Sequence, residues 1–332
     1  MPTKESEVSF ERLPGYCEVH AFHEEVTKML FRNRRLEELL ERVAEALERI
    51  ADLMEADRGA LPPVLASREE REEETPKVSL RPIDGTPFER FFAARKMPVR
   101  GVRNPEDDEM LEFLARFLGR RYAHLHQLYK KIKRSLISGK GFTLKLDPSN
   151  PNQLSAMVEF AAALYRRGLL AHYSYKRSPF FLLSLQPASD PRAINFLTGG
   201  WLELYVKQTM TALLTELKAS NSVTYSYLHN VEIGERDRVD FELDLLFKIN
   251  HEYFWIETKT AEYEPYIPRY AELAKKLSLD KDHAFIVATE LTSEDALRLN
   301  SIFDLTLVPL GEFRDTMKEV LCRRLDLKVP GG

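Results

Sequence analysis

Two runs between residues 239 and 259 carry the side chains best suited to chemistry. In Val239-Asp-Phe-Glu-Leu-Asp-Leu-Leu-Phe247 polar and apolar residues alternate. An extended strand turns successive side chains to opposite faces, so Asp240, Glu242 and Asp244 fall on one face and Val239, Phe241, Leu243 and Leu245 on the other. Like charges about 7 Å apart along a strand repel, and a divalent cation is one way to compensate them. The second run, Tyr253-Phe-Trp-Ile-Glu-Thr-Lys259, begins as a buried strand and ends with Glu257 and Lys259 on a shared face. The short connection through Asn250-His251 pairs the two strands antiparallel and brings Asp244 and Glu257 to one sheet end beside Lys259. Two carboxylates are hard oxygen ligands for Mg²⁺ or Mn²⁺ and leave room for water and a substrate phosphate. A nearby lysine can orient an attacking water or stabilise the pentavalent phosphoryl group. The chemistry these residues suit is phosphodiester hydrolysis. Glu242 is either a further acidic ligand or a solvated neighbour.

The surrounding elements must hold that strand pair in place. From Gly199 onward the pattern predicts a helix at 200–218, strands at 222–232, 239–249 and 252–260, a helix at 263–277, a strand at 283–288, a helix at 293–300 and a strand at 305–308. This is an α/β module on a mixed sheet. Upstream, acids at Glu106, Asp107, Asp108 and Glu109 open a helix whose apolar face is Met110, Leu111, Leu114, Phe117 and Leu118. A second helix over 122–137 ends at Gly139, an extended piece follows at 141–146, and a third helix over 152–167 is capped by Gly168. A hairpin over 171–185 with Lys176-Arg177 at its tip completes a winged-helix-like α+β order. Residues 78–104 carry a short strand signal at Val78 and are otherwise unassigned. Residues 24–55 read as a long amphipathic helix able to pair two chains or to pack within one. Leu61-Pro-Pro63 and the charged run 68–74 read as a linker. The expected division is 1–76, a helical segment with linker; 77–190, winged-helix-like; and 191–332, an α/β domain on a mixed sheet.

Asp244, followed thirteen residues later by Glu257-Thr-Lys259, resembles the PD-(D/E)xK motif of restriction-endonuclease-like nucleases, in that superfamily's order of elements. Gly199-Gly-Trp-Leu-Glu-Leu-Tyr205, Glu242-Leu-Asp244 and Trp255-Ile-Glu-Thr-Lys-Thr260 further resemble blocks of the CRISPR-associated ancillary nucleases, in which a CARF sensor domain is joined through a winged helix to the nuclease. The resemblance is strongest over 199–290, and residues 1–60 lack the Gly-rich βαβ pattern of a CARF domain. It implies that Asp244 and Glu257 bind the metal, with the Thr258 carbonyl beside them. Lys259 would be the catalytic lysine, and Glu203 an acid on the helix supporting the metal or its water. Phe241, Thr258 and Ala261 depart from the family's Asn, Cys and Gly.

Lys130, Lys131, Lys133 and Arg134, with Arg116, Arg120, Arg121 and Lys140, form a basic stretch interleaved with Tyr122, His124, His126 and Tyr129. Together with Lys176 and Arg177 it is a candidate contact for a nucleic-acid backbone, or else a solvated face. Arg269, Lys275 and Lys276 could meet a scissile phosphate or form a plain exposed face. Length and composition agree with this reading: 332 residues, 44% apolar and 30% charged, net charge −4. That balance excludes a uniformly cationic coat protein. Two cysteines exclude a disulfide scaffold, and Cys17-x-x-His20-x-x-His23 has no evident fourth zinc ligand. No phosphate-binding glycine loop for a nucleotide cofactor and no apolar run of membrane-spanning length occur. The expectation is a cytoplasmic, homodimeric, Mg²⁺- or Mn²⁺-dependent endonuclease acting on DNA in preference to RNA, in prokaryotic defence or nucleic-acid processing. The alternative is a catalytically silent winged-helix regulator or interaction subunit.

Overall fold

The computed structural model describes residues 80–103, 108–234 and 240–328. Contacts divide the chain into units at 1–75 and 76–332. The helix expected at 24–55, the linker, Cys17, His20 and His23 lie outside the described residues, as do Val78, Glu106, Asp107 and Val239.

Two sheets organise the larger unit. The first has six strands: β1 (Val99–Val102), β5 (Tyr225–Ile233), β6 (Phe241–Ile249), β7 (Glu252–Lys259), β8 (Ala284–Ala288) and β9 (Thr306–Pro309), side by side in that order. Pairing is antiparallel from β1 to β7 and parallel from β7 to β9. The second sheet has the order β2 (Phe142–Lys145), β4 (Leu182–Pro187), β3 (Leu170–Lys176), all antiparallel. The helices are α1 (Pro87–Ala94), α2 (Glu109–Arg120), α3 (Tyr122–Ser138), α4 (Pro151–Arg166), α5 (Pro191–Asn195), α6 (Trp201–Lys218), α7 (Ile267–Lys276), α8 (Ser293–Asn300) and α9 (Phe313–Arg324). Among the described residues no helix is long and apolar enough to cross a membrane.

Local chemistry sets the helix limits. Asp108 caps α2, its carboxylate accepting from the N–H groups of Met110 and Leu111. The acids expected inside the first turn therefore begin at Glu109. Gly139 ends α3 at φ 66°, a left-handed conformation that costs a residue without Cβ little. Helix α7 starts at Ile267 rather than 263. Pro265 has no N–H to continue a helical ladder and sits in a separate 3₁₀ turn over Glu264–Tyr266, whereas Pro268 is tolerated in the first turn of α7.

The larger sheet is buried on both faces. Leu245, Phe247, Ile249, Phe254, Ile256, Phe285 and Val287 join α6, α9 and the α2–α4 helices in one apolar core. Leu243, Leu246, Trp255, Ala284, Ile286 and Leu307 pack against α1, α7 and α8 in the other. The expectation that residues 239 to 245 alternate without a break is therefore corrected, because Leu243 and Leu245 enter different cores. The facing strand explains the change of side. Asn230 of β5 stands at φ 50°, and the β5/β6 register runs through Val231↔Leu243 and His229↔Leu245 with no pair at Asn230 and Asp244. The irregularity falls at Asp244 itself.

Helix α6 is the spine of the first core, its Trp201, Leu202, Val206, Met210, Leu213, Leu214 and Leu217 fully buried. Helix α2 crosses it at Gly119, where a Cβ would lie 2.3 Å from the Tyr205 ring. A methyl group there must push rigid atoms apart. Gly119→Ala is expected to destabilise the protein by about 1–3 kcal/mol, read as a lower thermal midpoint; an unchanged midpoint would refute this α2/α6 contact.

Candidate active site

The ladder between β6 and β7 stops at Leu245↔Ile256. Beyond that pair the strands part, and the N–H of Thr258 needs another acceptor. Asp244 supplies it: its Oδ2 accepts from the Thr258 N–H and from the Thr258 hydroxyl, each at 2.8 Å. The acid thus stands in for the missing strand pairing and is held at the opening. Glu257, the residue just beyond the last pair, is 2% exposed. Its Oε1 accepts from Lys259 Nζ at 2.8 Å and from the Tyr270 hydroxyl at 2.8 Å, while its Oε2 is buried without a hydrogen-bond partner among the described residues.

Glu203 reaches the same region from the first turn of α6. That helix start is fixed by Trp201, fully buried and stacked on Tyr122 with ring centroids 5.7 Å apart. Glu203 Oε2 lies 3.0 Å from His229 Nε2. Because His229 Nδ1 is buried with no partner, the ring is best satisfied with its proton on Nε2, donating to Glu203.

The electrostatics show how closely these groups interact. Burial, then the charges of Glu257 and Glu203, push the Asp244 carboxyl well above the usual carboxylate range against the opposing pull of Lys259. Burial pulls the Lys259 ammonium down, but Glu257 and Asp244 outweigh it and raise it above the ordinary lysine range. Desolvation raises the Glu242 carboxyl, with Arg103 opposing and Glu203, Glu232 and Glu257 adding to the rise. The residue that follows strand β1, in the stretch left unassigned in sequence, supplies that arginine. Arg103 and Arg100 pair with Glu232, which is 2% exposed and sits opposite Glu242. Strongly shifted titrating groups brought together in this way are a mark of functional sites.

Among the described residues no three His, Cys, Asp or Glu side chains stand together as a ready metal shell. The donors present nevertheless suit a small hard cation, which binds through one or two carboxylates and keeps several waters. The unpartnered Glu257 Oε2 and the mutual repulsion raising Asp244 are both relieved by positive charge at this position.

The other candidate residues are spread over the surface. Lys133 donates to the carbonyl of Thr260 at 2.9 Å and to its hydroxyl at 3.1 Å, tying α3 to the residue after Lys259. Lys130 pairs with Glu290, which also accepts from the Tyr122 hydroxyl. Lys131 is half-buried, and Arg134, Lys176 and Arg177 are exposed. Arg116 and Arg120 line a cavity of about 600 Å³ with Arg314. Arg269 donates to the Asp240 carbonyl at 2.6 Å, and Lys276 pairs with Glu272 one turn away. Tyr270, His229 and Arg103 were not found from the sequence. A period-two or helical pattern gives no signal for a side chain that meets the site from another element.

No protein-family model matches this chain, and no curated protein matches it in sequence. Among solved structures it is similar to protein VC1899 from Vibrio cholerae, with 17% identity, TM-score 0.41, and coverage of 66% of this chain and 57% of that one. It is also similar to Can2 from Sulfobacillus thermosulfidooxidans, solved in complex with cyclic tetra-adenylate, with 15% identity, TM-score 0.46, and coverage of 70% of this chain and 59% of that one. This chain thus spans less than two thirds of either protein.

Proposed function

We propose that the protein is a metal-dependent nuclease whose active site lies where β6 and β7 part. The observation that carries this reading is the cluster itself: Asp244 and Glu257 on adjoining strands, Lys259 held charged against them, and a Glu257 oxygen buried without a partner. Asp244 and Glu257 would hold Mg²⁺ or Mn²⁺, with the Thr258 carbonyl as a further donor. Bound there, the cation supplies Lewis-acid neutralisation of charge on a phosphoryl oxygen. Lys259 brings an N–H donor and a positive charge to the negative charge that develops when water attacks phosphorus. Glu203, steadied by His229, orients that water. The region 109–187 would carry the nucleic acid in a winged-helix manner, with Lys176 and Arg177 at the hairpin tip and Lys131 and Arg134 on α3 contacting phosphates. DNA is the expected polymer ahead of RNA, and a homodimer the expected assembly. The sequence resemblance supports a place in prokaryotic defence.

The test incubates the purified protein with supercoiled plasmid, single-stranded DNA and RNA in Mg²⁺, Mn²⁺ or EDTA. Cleavage in metal that is absent in EDTA is the expected result. Binding of DNA with no cleavage of any polymer would overturn the enzymatic reading and leave a silent regulator.

A further inference from the structure

Glu257 has two oxygens with unlike surroundings. Oε1 takes hydrogen bonds from both Lys259 and Tyr270, each at 2.8 Å, while Oε2 is buried and takes none. A carboxylate on a flexible side chain can exchange its oxygens by rotation, and two donors fixed on one of them prevent that. Tyr270 is well placed to act as the rigid donor of the two. It stands on α7, and its ring packs edge-on against buried Trp255 with centroids 5.7 Å apart, so that the hydroxyl is held in place. Lys259 is steered by the same ring, its Nζ lying 5.2 Å from the Tyr270 ring centroid.

We infer that Tyr270 is the positioning residue of the cation site, fixing Glu257 through Oε1 so that Oε2 is presented to a divalent metal ion. The inference rests on the nuclease reading but concerns a residue outside the acid-and-lysine set. Outer partners that orient a metal ligand typically change metal affinity or activity by about 10–100-fold when removed.

The experiment measures Mn²⁺ binding to the full chain without substrate, by calorimetry and by the electron paramagnetic resonance signal of free Mn²⁺. It compares wild type, Tyr270→Phe and Tyr266→Phe. Tyr270→Phe keeps the ring on Trp255 and beside Lys259 and removes only the hydroxyl. Its Mn²⁺ affinity should fall by roughly tenfold, and the Mg²⁺ concentration for half-maximal cleavage should rise in parallel, with cleavage restored at saturating metal. Tyr266→Phe, whose hydroxyl makes no contact with Glu257, should bind as wild type does. Equal Mn²⁺ affinity in Tyr270→Phe and wild type, with wild type both binding and cleaving, would overturn the positioning role alone. Equal weakening in both variants would overturn it in favour of general aromatic packing. Absence of Mn²⁺ binding in wild type would overturn both this inference and the nuclease reading.

Discussion

Lys259→Ala is expected to lower metal-dependent cleavage by about 10²–10⁴-fold, the range associated with removing a proton-transferring group or a fixed donor at a developing anion. Two features make the loss one of chemistry rather than of site assembly. Lys259 follows directly on the Thr258 N–H that holds Asp244, and alanine keeps that backbone contact. Glu257 also keeps its second donor, Tyr270. Removing a positive charge beside two carboxylates should strengthen divalent-cation binding, so calorimetry should show Mn²⁺ affinity at or above the wild-type value while plasmid cleavage is lost. Cleavage within tenfold of wild type would eliminate Lys259 as a catalytic residue. The variant should also be less stable in metal-free buffer, since the nearly buried Glu257 carboxylate loses its charged partner.

Asp244→Asn should move activity and stability in opposite directions. Asparagine retains an oxygen to accept from the Thr258 N–H and hydroxyl, so the parted strand ends remain tied. What it removes is a charge that burial, Glu257 and Glu203 all disfavour. The sign follows from proton linkage. A carboxyl whose folded pKa lies above its unfolded value of about 3.9 makes the native state bind more protons between those two values, so stability falls as pH rises through that window. The asparagine variant lacks this loss. In EDTA near neutral pH it should be more stable than wild type by about 1–2 kcal/mol, a thermal midpoint higher by about 2–5 °C. Below pH 4 the two proteins should converge. Adding Mn²⁺ should reverse the order, stabilising wild type by mass action, about 2.7 kcal/mol at a hundredfold excess over Kd, with little effect on the variant. Cleavage by the variant should be undetectable. An asparagine variant less stable than wild type in EDTA at neutral pH would contradict the electrostatic account of the site.

The residues at the centre of the site were legible in sequence because they lie on two consecutive strands joined by a short turn. Residue type, two-residue periodicity and hairpin closure sufficed to bring Asp244, Glu257 and Lys259 to one end. The break in alternation at Asp244 was not legible, since it depends on the left-handed backbone of Asn230 on the neighbouring strand. Nor was β1: Val99-Arg-Gly-Val102 is short, follows a proline and contains glycine, and it becomes a strand only by pairing with β5 more than a hundred residues away. Helix α9 was missed for a different reason. Phe313–Arg324 is mostly polar; its apolar residues Phe313, Met317, Val320 and Leu321 do fall at helical spacing, but so thin a stripe in a charged segment of twelve residues is a weak signal, and it is packing against α6 and the sheet that buries it. Tyr270 lay within a helix expected from the sequence, but its hydroxyl meets Glu257 only through the β7–α7–β8 crossover.

Thr260, the residue after Lys259, has its carbonyl and hydroxyl held by Lys133, and its own hydroxyl donates a hydrogen bond to the Thr198 carbonyl at 2.6 Å. Fixing one residue's backbone costs about 1–2 kcal/mol in conformational entropy, a cost that falls on folding when the segment is already ordered and on association when it is not. At the exit of β7 it has been met before any substrate arrives. Lys133→Ala should therefore leave the acids and Lys259 in place but transfer that ordering to the binding step, giving a weaker, more entropically opposed association with the polymer by titration calorimetry.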